Sequence, residues 1–180
     1  MTTEFTSRSD SRTVAILPVR DWVDVGLIVF FTTVALTIEL YWLLHHQEME
    51  SRNDLIARLI SLYWPLDRSW RIPGYSLEKA LNLSLEGVNA LVTPVLSAIL
   101  LFAIFKRRRY RYPLQLFIAA YTFYGTFLYF SIAHISGYAV FEQKTIPNFI
   151  LFYSANMPWL AGYAWLAWDA YRALVRGTRA

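Results

Sequence analysis

The sequence predicts an all-α, polytopic membrane protein: a bundle of four transmembrane helices with a structured loop between spans one and two. Three observations predict it. Of 180 residues, 56% are hydrophobic and only 17% charged, against roughly 25% charged in an average soluble domain. A soluble unit of this length needs a charged outer shell, which 17 basic and 13 acidic side chains supply only sparsely. Four uninterrupted apolar runs, 25–44, 81–105, 113–133 and 146–168, reach the roughly 20 residues that cross about 30 Å of hydrocarbon. The charges avoid those runs. The third and fourth hold none, the first only Glu39 and the second only Glu86.

Taken in order, residues 1–21 are rich in Ser, Thr and Arg with no apolar run, and read as a disordered tail rather than a signal peptide. The first span is too long for a signal segment and stays as an anchor. Residues 45–80 form the only long loop, with five basic and five acidic residues and Trp64, Pro65, Trp70, Pro73 and Gly74, a pattern expected to give a short interfacial helix and then a cap. One membrane domain, 22–171, is followed by a second tail, 172–180. Segments 1–21, 106–112 and the C-terminal end carry eleven Lys and Arg, against six in the other two loops. The positive-inside rule then puts both termini in the cytoplasm. By the same rule the run Lys106, Arg107, Arg108, Arg109 is an ordinary cytoplasmic loop and not a nucleic-acid site. A homodimer is compatible with the sequence but not specified by it.

Composition also removes chemistries. Zero cysteines exclude a disulfide scaffold, an iron–sulfur cluster, a thiolate haem and a cysteine nucleophile. Three histidines are too few for a multi-histidine di-iron site, and His45-His46 reads as an interfacial pair, since no third ligand stands at a metal-site spacing. No Gly-rich phosphate loop or nucleophile elbow is present. Asn82-Leu83-Ser84 fits a glycosylation acceptor but lies inside the start of span two.

The polar residues inside the spans are the candidates for function, because an ionisable group there is costly and usually turned inward. Glu39 lies five residues before one end of span one, and Glu86 five residues after the start of span two on the same side. At about 1.5 Å per residue both carboxyls sit roughly 7–8 Å below one interface and can share a cavity. Two carboxyls in a dry cavity resist double ionisation, so the pair is expected to keep a proton that an apolar substrate can receive. Asn89 follows Glu86 by three residues on one helical face. Asn156 and Trp159 share a face of span four near mid-membrane, where an indole stabilises positive charge by about 2 kcal/mol once water is excluded. Pro158 between them removes an amide donor and frees the Ser154 carbonyl. His134, closing span three, is within reach of the glutamate layer, and Asp67 with Arg68 and Arg71 is placed to cap the cavity or to form surface ion pairs.

These residues resemble the emopamil-binding protein superfamily of EXPERA-domain proteins, which includes sterol Δ8–Δ7 isomerase and the sigma-2 receptor. The resemblance runs over about 28–171 and is strongest in Arg111-Tyr-Pro-Leu-Gln-Leu, in Tyr124-Gly125 through His134-Ile-Ser-Gly137, in Asn156-x-x-Trp159 and in Trp168-Asp169-Ala170. Ile38-Glu39-Leu-Tyr-Trp42 and Glu86 with Pro94 are similar to the isomerase's two acidic elements, and Asp67 to its loop aspartate. The resemblance implies a bundle whose cavity holds a sterol-like amphiphile, with Glu39, Glu86, Asn156 and Trp159 catalytic and Asn89, Asp67, Tyr124 and His134 at the substrate. It also implies an endoplasmic-reticulum membrane. Three positions differ from the isomerases: Ala35 replaces a histidine one turn before Glu39, Asn89 replaces a threonine, and Thr126 replaces an acidic residue. The expected activity is a cofactor-free, metal-free isomerase or cyclase that protonates an alkene or epoxide of a sterol or terpenoid. The competing expectation is a non-catalytic sterol binder of the sigma-2 type.

Overall fold

The computed structural model of the protein describes residues 17–71, 74 and 76–177. Most of the N-terminal tail, Pro73 and the last three residues therefore lie outside the described residues. Within them the chain is helical and contains no strand. The α-helices are α1 (Val19–Val34), α2 (Leu40–His45), α3 (Leu55–Ser61), α4 (Leu77–Leu91), α5 (Thr93–Phe105), α6 (Arg111–Ile135) and α7 (Ile146–Gly177).

Two of the long spans are composite. A π-helical turn, Ala35–Glu39, joins α1 to α2 without a break, and the Leu40 N–H bonds the Ala35 carbonyl five residues back. Val92 interrupts α4 and α5 because Pro94, in the first turn of α5, has no amide hydrogen to continue the ladder. The Thr93 hydroxyl reaches back 3.3 Å to the Val88 carbonyl and pairs with the Tyr121 hydroxyl at 2.7 Å, so the break is covered from within the bundle.

Three stretches, Val19–His45, Leu77–Phe105 and Arg111–Ile135, are long and apolar enough to cross a membrane. Their outward faces are apolar, with Val29, Phe30, Val95, Ile99, Phe102, Phe117 and Phe127 all exposed, as expected where lipid is the outer solvent. The expected fourth span is not among them. Helix α7 has ample length at 32 residues, but Asn148, Ser154, Asn156, Pro158 and its Tyr and Trp residues lower its apolarity.

The helix ends also differ from the expected tails. Helix α1 begins at Val19, inside 1–21, and α7 runs to Gly177, inside 172–180. Ion pairs between helices extend both. Arg111 grips the Asp21 carboxylate with two nitrogens at 2.9 and 2.6 Å, both side chains buried. Arg20 donates to the Asp169 carboxylate at 2.7 Å and to the Asp169 carbonyl at 3.1 Å. Below them Asp24 accepts from Gln115 (3.2 Å) and Trp165 (3.1 Å). This polar end ties α1, α6 and α7 above a core of Ile28, Phe31, Leu100, Ile104, Ile118 and Leu166.

The loop after α2 folds into a cap. Asp54 accepts from the Ala57 N–H at 3.2 Å to start α3. Trp42 stacks on Trp70 with centroids 4.5 Å apart, and its ring nitrogen donates to the Trp70 carbonyl at 3.0 Å. A third cluster, Leu66, Ala133, Val140, Phe141 and Phe152, closes the other side of the cap.

Removing one member of the Asp21–Arg111 pair strands a buried charge, a loss of about 3 kcal/mol. Arg111→Met is therefore expected to lower the thermal unfolding midpoint in detergent, and Asp21→Leu combined with Arg111→Met to recover most of it. A single variant as stable as the parent, or a double variant no better than the single, would contradict the pairing.

Candidate functional site

The helices enclose a cavity of about 570 Å³ between the α1–α2 span, α4, α6 and α7, roofed by α3 and the cap. That volume lies within the range of sites for drug-sized ligands. Its walls are mostly apolar and aromatic, and the polar groups in them converge.

Glu39 ends the π-helical turn. The wide turn inserts a residue into the helical repeat, a device often found at functional positions, and it leaves Glu39 buried at the cavity wall. Its carboxyl lies in hydrogen-bond contact with that of Glu86 from α4. Asn89 donates to Glu86 at 3.3 Å, and Oε2 of Glu39 has no partner. Ala35, where the isomerases carry histidine, is buried and its carbonyl closes the π turn.

Across the cavity stands Trp159 of α7. Phe31, which does not line the cavity, stacks on its indole at 4.6 Å and on Tyr163 at 4.4 Å. Phe30 (6.4 Å) and Tyr163 (6.1 Å) also stand beside the indole, which lines the cavity. Asn156, one turn before, donates 2.8 Å to the Tyr63 hydroxyl and 2.8 Å to the Phe152 carbonyl.

Of the eight expected site residues, Glu39, Glu86, Asn89, Tyr124, Asn156 and Trp159 line this cavity. Tyr124 is mostly exposed and stands at its rim. Asp67 does not line it. It is 1% exposed and accepts from the Ser69 N–H (2.9 Å), Asn82 (2.9 Å) and the Tyr129 hydroxyl (2.8 Å), so it is neither a surface ion pair nor a direct ligand contact. Asn82, the expected sequon residue, is buried in that same cluster. His134 is a correction: it is exposed at the end of α6, 3.4 Å from the Tyr138 hydroxyl and outside the cavity lining. Five residues beyond Tyr129 in a helix, it is turned roughly 140° away. No group of three or more His, Cys, Asp or Glu among the described residues is placed to hold a metal ion.

Sequence reading missed Tyr63, Tyr121, Tyr129 and Tyr163, all at the cavity. One signal was present. Thr122, Gly125, Thr126 and Tyr129 follow i, i+3, i+4, i+7 spacing, a polar and small stripe along an otherwise apolar helix. Tyr63 lies in the cap, where no periodicity marks it.

A family model, EXPERA (EXPanded EBP superfamily), matches residues 71–170. The chain belongs to the EXPERA superfamily. That group includes sterol isomerases as well as non-catalytic proteins, and its members bind sterol-like lipophilic ligands. The EXPERA match contains Glu86, Asn89, Tyr124, His134, Asn156 and Trp159, while Glu39 and Asp67 precede it. No curated protein matches the chain.

Gly162 controls the aromatic wall. A Cβ there would fall 2.8 Å from Cε2 of Phe31, so α1 and α7 meet over a glycine. Gly162→Ala is expected to displace Phe31 and with it Trp159, costing about 1–3 kcal/mol and lowering Trp-dependent ligand affinity in a fluorescence titration. Unchanged stability and affinity would refute the close approach.

Proposed function

We propose that the protein is an intramembrane isomerase or cyclase that acts on a sterol or terpenoid without a redox cofactor or metal. One observation carries the reading: two contacting carboxyls, Glu39 and Glu86, and the tryptophan Trp159 line one mostly apolar cavity. The carboxyl pair transfers its proton to an alkene carbon, forming a C–H bond, or to an epoxide oxygen, opening a C–O bond. The cation that results lies against Trp159, and Asn156 anchors the substrate beside it. A neighbouring carbon then loses a proton to the carboxylate left behind, either directly to give a shifted double bond or after a second alkene has attacked the cation to close a ring. The proton returns, so the pair is regenerated without a net redox change. Asn89 and Tyr124 contact the substrate, and Asp67 acts behind the wall. His134 takes no part.

In this reading α7 is the fourth membrane span, because it supplies Asn156 and Trp159 to a cavity shared with the other three. The basic residues place both termini in the cytoplasm, and the membrane is that of the endoplasmic reticulum. Substitution of Ala35 for the isomerase histidine shifts weight toward isoprenoid substrates other than Δ8-sterols. It also favours a second reading, a non-catalytic sterol binder of the sigma-2 type in which the carboxyls hold a hydroxyl or amine.

Membranes containing the protein, incubated in heavy water with a Δ8-sterol and with a prenylated epoxide, are expected to yield deuterium-labelled product from one of them. Tight sterol binding with no labelled product from either would sink the enzyme reading in favour of the binder. Glu39→Gln and Glu86→Gln are each expected to lower turnover by about 10²–10⁴-fold, measured as initial rates, and full activity in either would exclude that residue as the essential acid. Trp159→Leu, which removes about 2 kcal/mol of cation stabilisation, is expected to slow turnover about 30-fold.

A further inference from the structure

The hydrogen bonds behind Asn156 run in one direction. Its amide lies 2.8 Å from the Phe152 carbonyl and 2.8 Å from the Tyr63 hydroxyl. A backbone carbonyl has no hydrogen to give, so the atom facing it is Nδ2; turning the amide over would set two acceptor oxygens against each other. Both amide hydrogens are thereby used. Tyr63, which accepts from Asn156, gives its own hydrogen to the Tyr129 hydroxyl 3.0 Å away, and Tyr129 gives its hydrogen to Oδ2 of Asp67 at 2.8 Å. The chain ends there because Asp67 also accepts from the Ser69 N–H at Oδ1 and from the Asn82 amide at Oδ2.

Four consecutive groups are thus locked in one polarity, anchored in turn to α7, the cap, α6 and the cap again. Oδ1 of Asn156 is what remains. It takes no hydrogen bond from the described residues, and Asn156 lines the cavity. The hydroxyl hydrogens of Tyr63 and Tyr129 are spent on the chain, so neither can serve a ligand acceptor. Asn156 therefore offers a ligand an acceptor and no donor.

We propose that Asp67, Tyr129 and Tyr63 hold Asn156 as a fixed hydrogen-bond acceptor, and that the cavity selects amphiphiles bearing a hydroxyl that donates to Asn156 Oδ1. This rests on the reading of the cavity as a site for a sterol- or terpenoid-like amphiphile, though not on catalysis. Tyr63 and Tyr129 are positioning residues here: they set the preference through Asn156.

The test is a binding comparison on purified protein in nanodiscs, using a Δ8-sterol with a free 3-hydroxyl, its 3-ketone and its 3-methyl ether. The ketone and the ether keep an acceptor oxygen and lose the donor. The alcohol is expected to bind about fivefold to tenfold tighter than either. Tyr63→Phe frees one amide hydrogen to turn to the ligand and is expected to shrink the preference to about twofold, mainly by tighter ketone binding, an outcome that mere loss of packing does not give. Asn156→Leu is expected to abolish the preference. Equal binding of alcohol and ketone by the parent protein, or an undiminished preference in both variants, would overturn the inference while leaving the amphiphile site standing. Failure of the parent to bind any of the three would overturn both.

Discussion

In a bilayer no water waits to satisfy a stranded polar group, so each one inside the spans must find its partner within the bundle. That constraint organises the molecule. At one end Arg20 pairs with Asp169, Arg111 with Asp21, and Gln115 and Trp165 with Asp24, across α1, α6 and α7. At the other end Asp67 gathers donors from the cap, α4 and α6. Between these polar layers lies a cavity whose own polar groups, Glu39 Oε2 and Asn156 Oδ1, are left without protein partners. Both atoms belong to residues that line the cavity, so a ligand there can pair with them.

Irregularities in the helices serve the same end. The π-helical turn and the Pro94 break both lie at cavity depth, and each is stabilised locally, by the Leu40 to Ala35 bond and by the Thr93 hydroxyl. A pair of regular helices would present Glu39 and Glu86 at angles fixed by the 3.6 repeat. The wide turn shifts Glu39 from the angle that the regular repeat would give it.

Much of this was legible in the sequence, for physical reasons. Runs of apolar residues report on lipid directly, and an acid inside such a run is conspicuous, so Glu39 and Glu86 stood out, and counting residues from the span ends placed them at one depth. Asn156 and Trp159 were visible as a polar and an aromatic group three residues apart. The polar end was not legible: Arg20 and Asp21 close a stretch that reads as a tail, and their partners Asp169 and Arg111 are some 90 to 150 residues away. Asp67 showed as an acid in a charged loop, but its burial depends on the fold of the cap, which no periodicity encodes. His134 misled because sequence gives depth more readily than direction around a helix.

The most direct test of the central claim, that a ligand's developing charge lies between the carboxyl pair and Trp159, is an experimental structure with a lipophilic tertiary amine bound. An ammonium ion stands in for the carbocation, and an enzyme complementary to that cation binds it tightly. The nitrogen is expected against the Trp159 indole and turned toward Glu39 and Glu86. An amine bound outside this cavity, or bound within it with its nitrogen directed away from both the indole and the carboxyls, would contradict the claim.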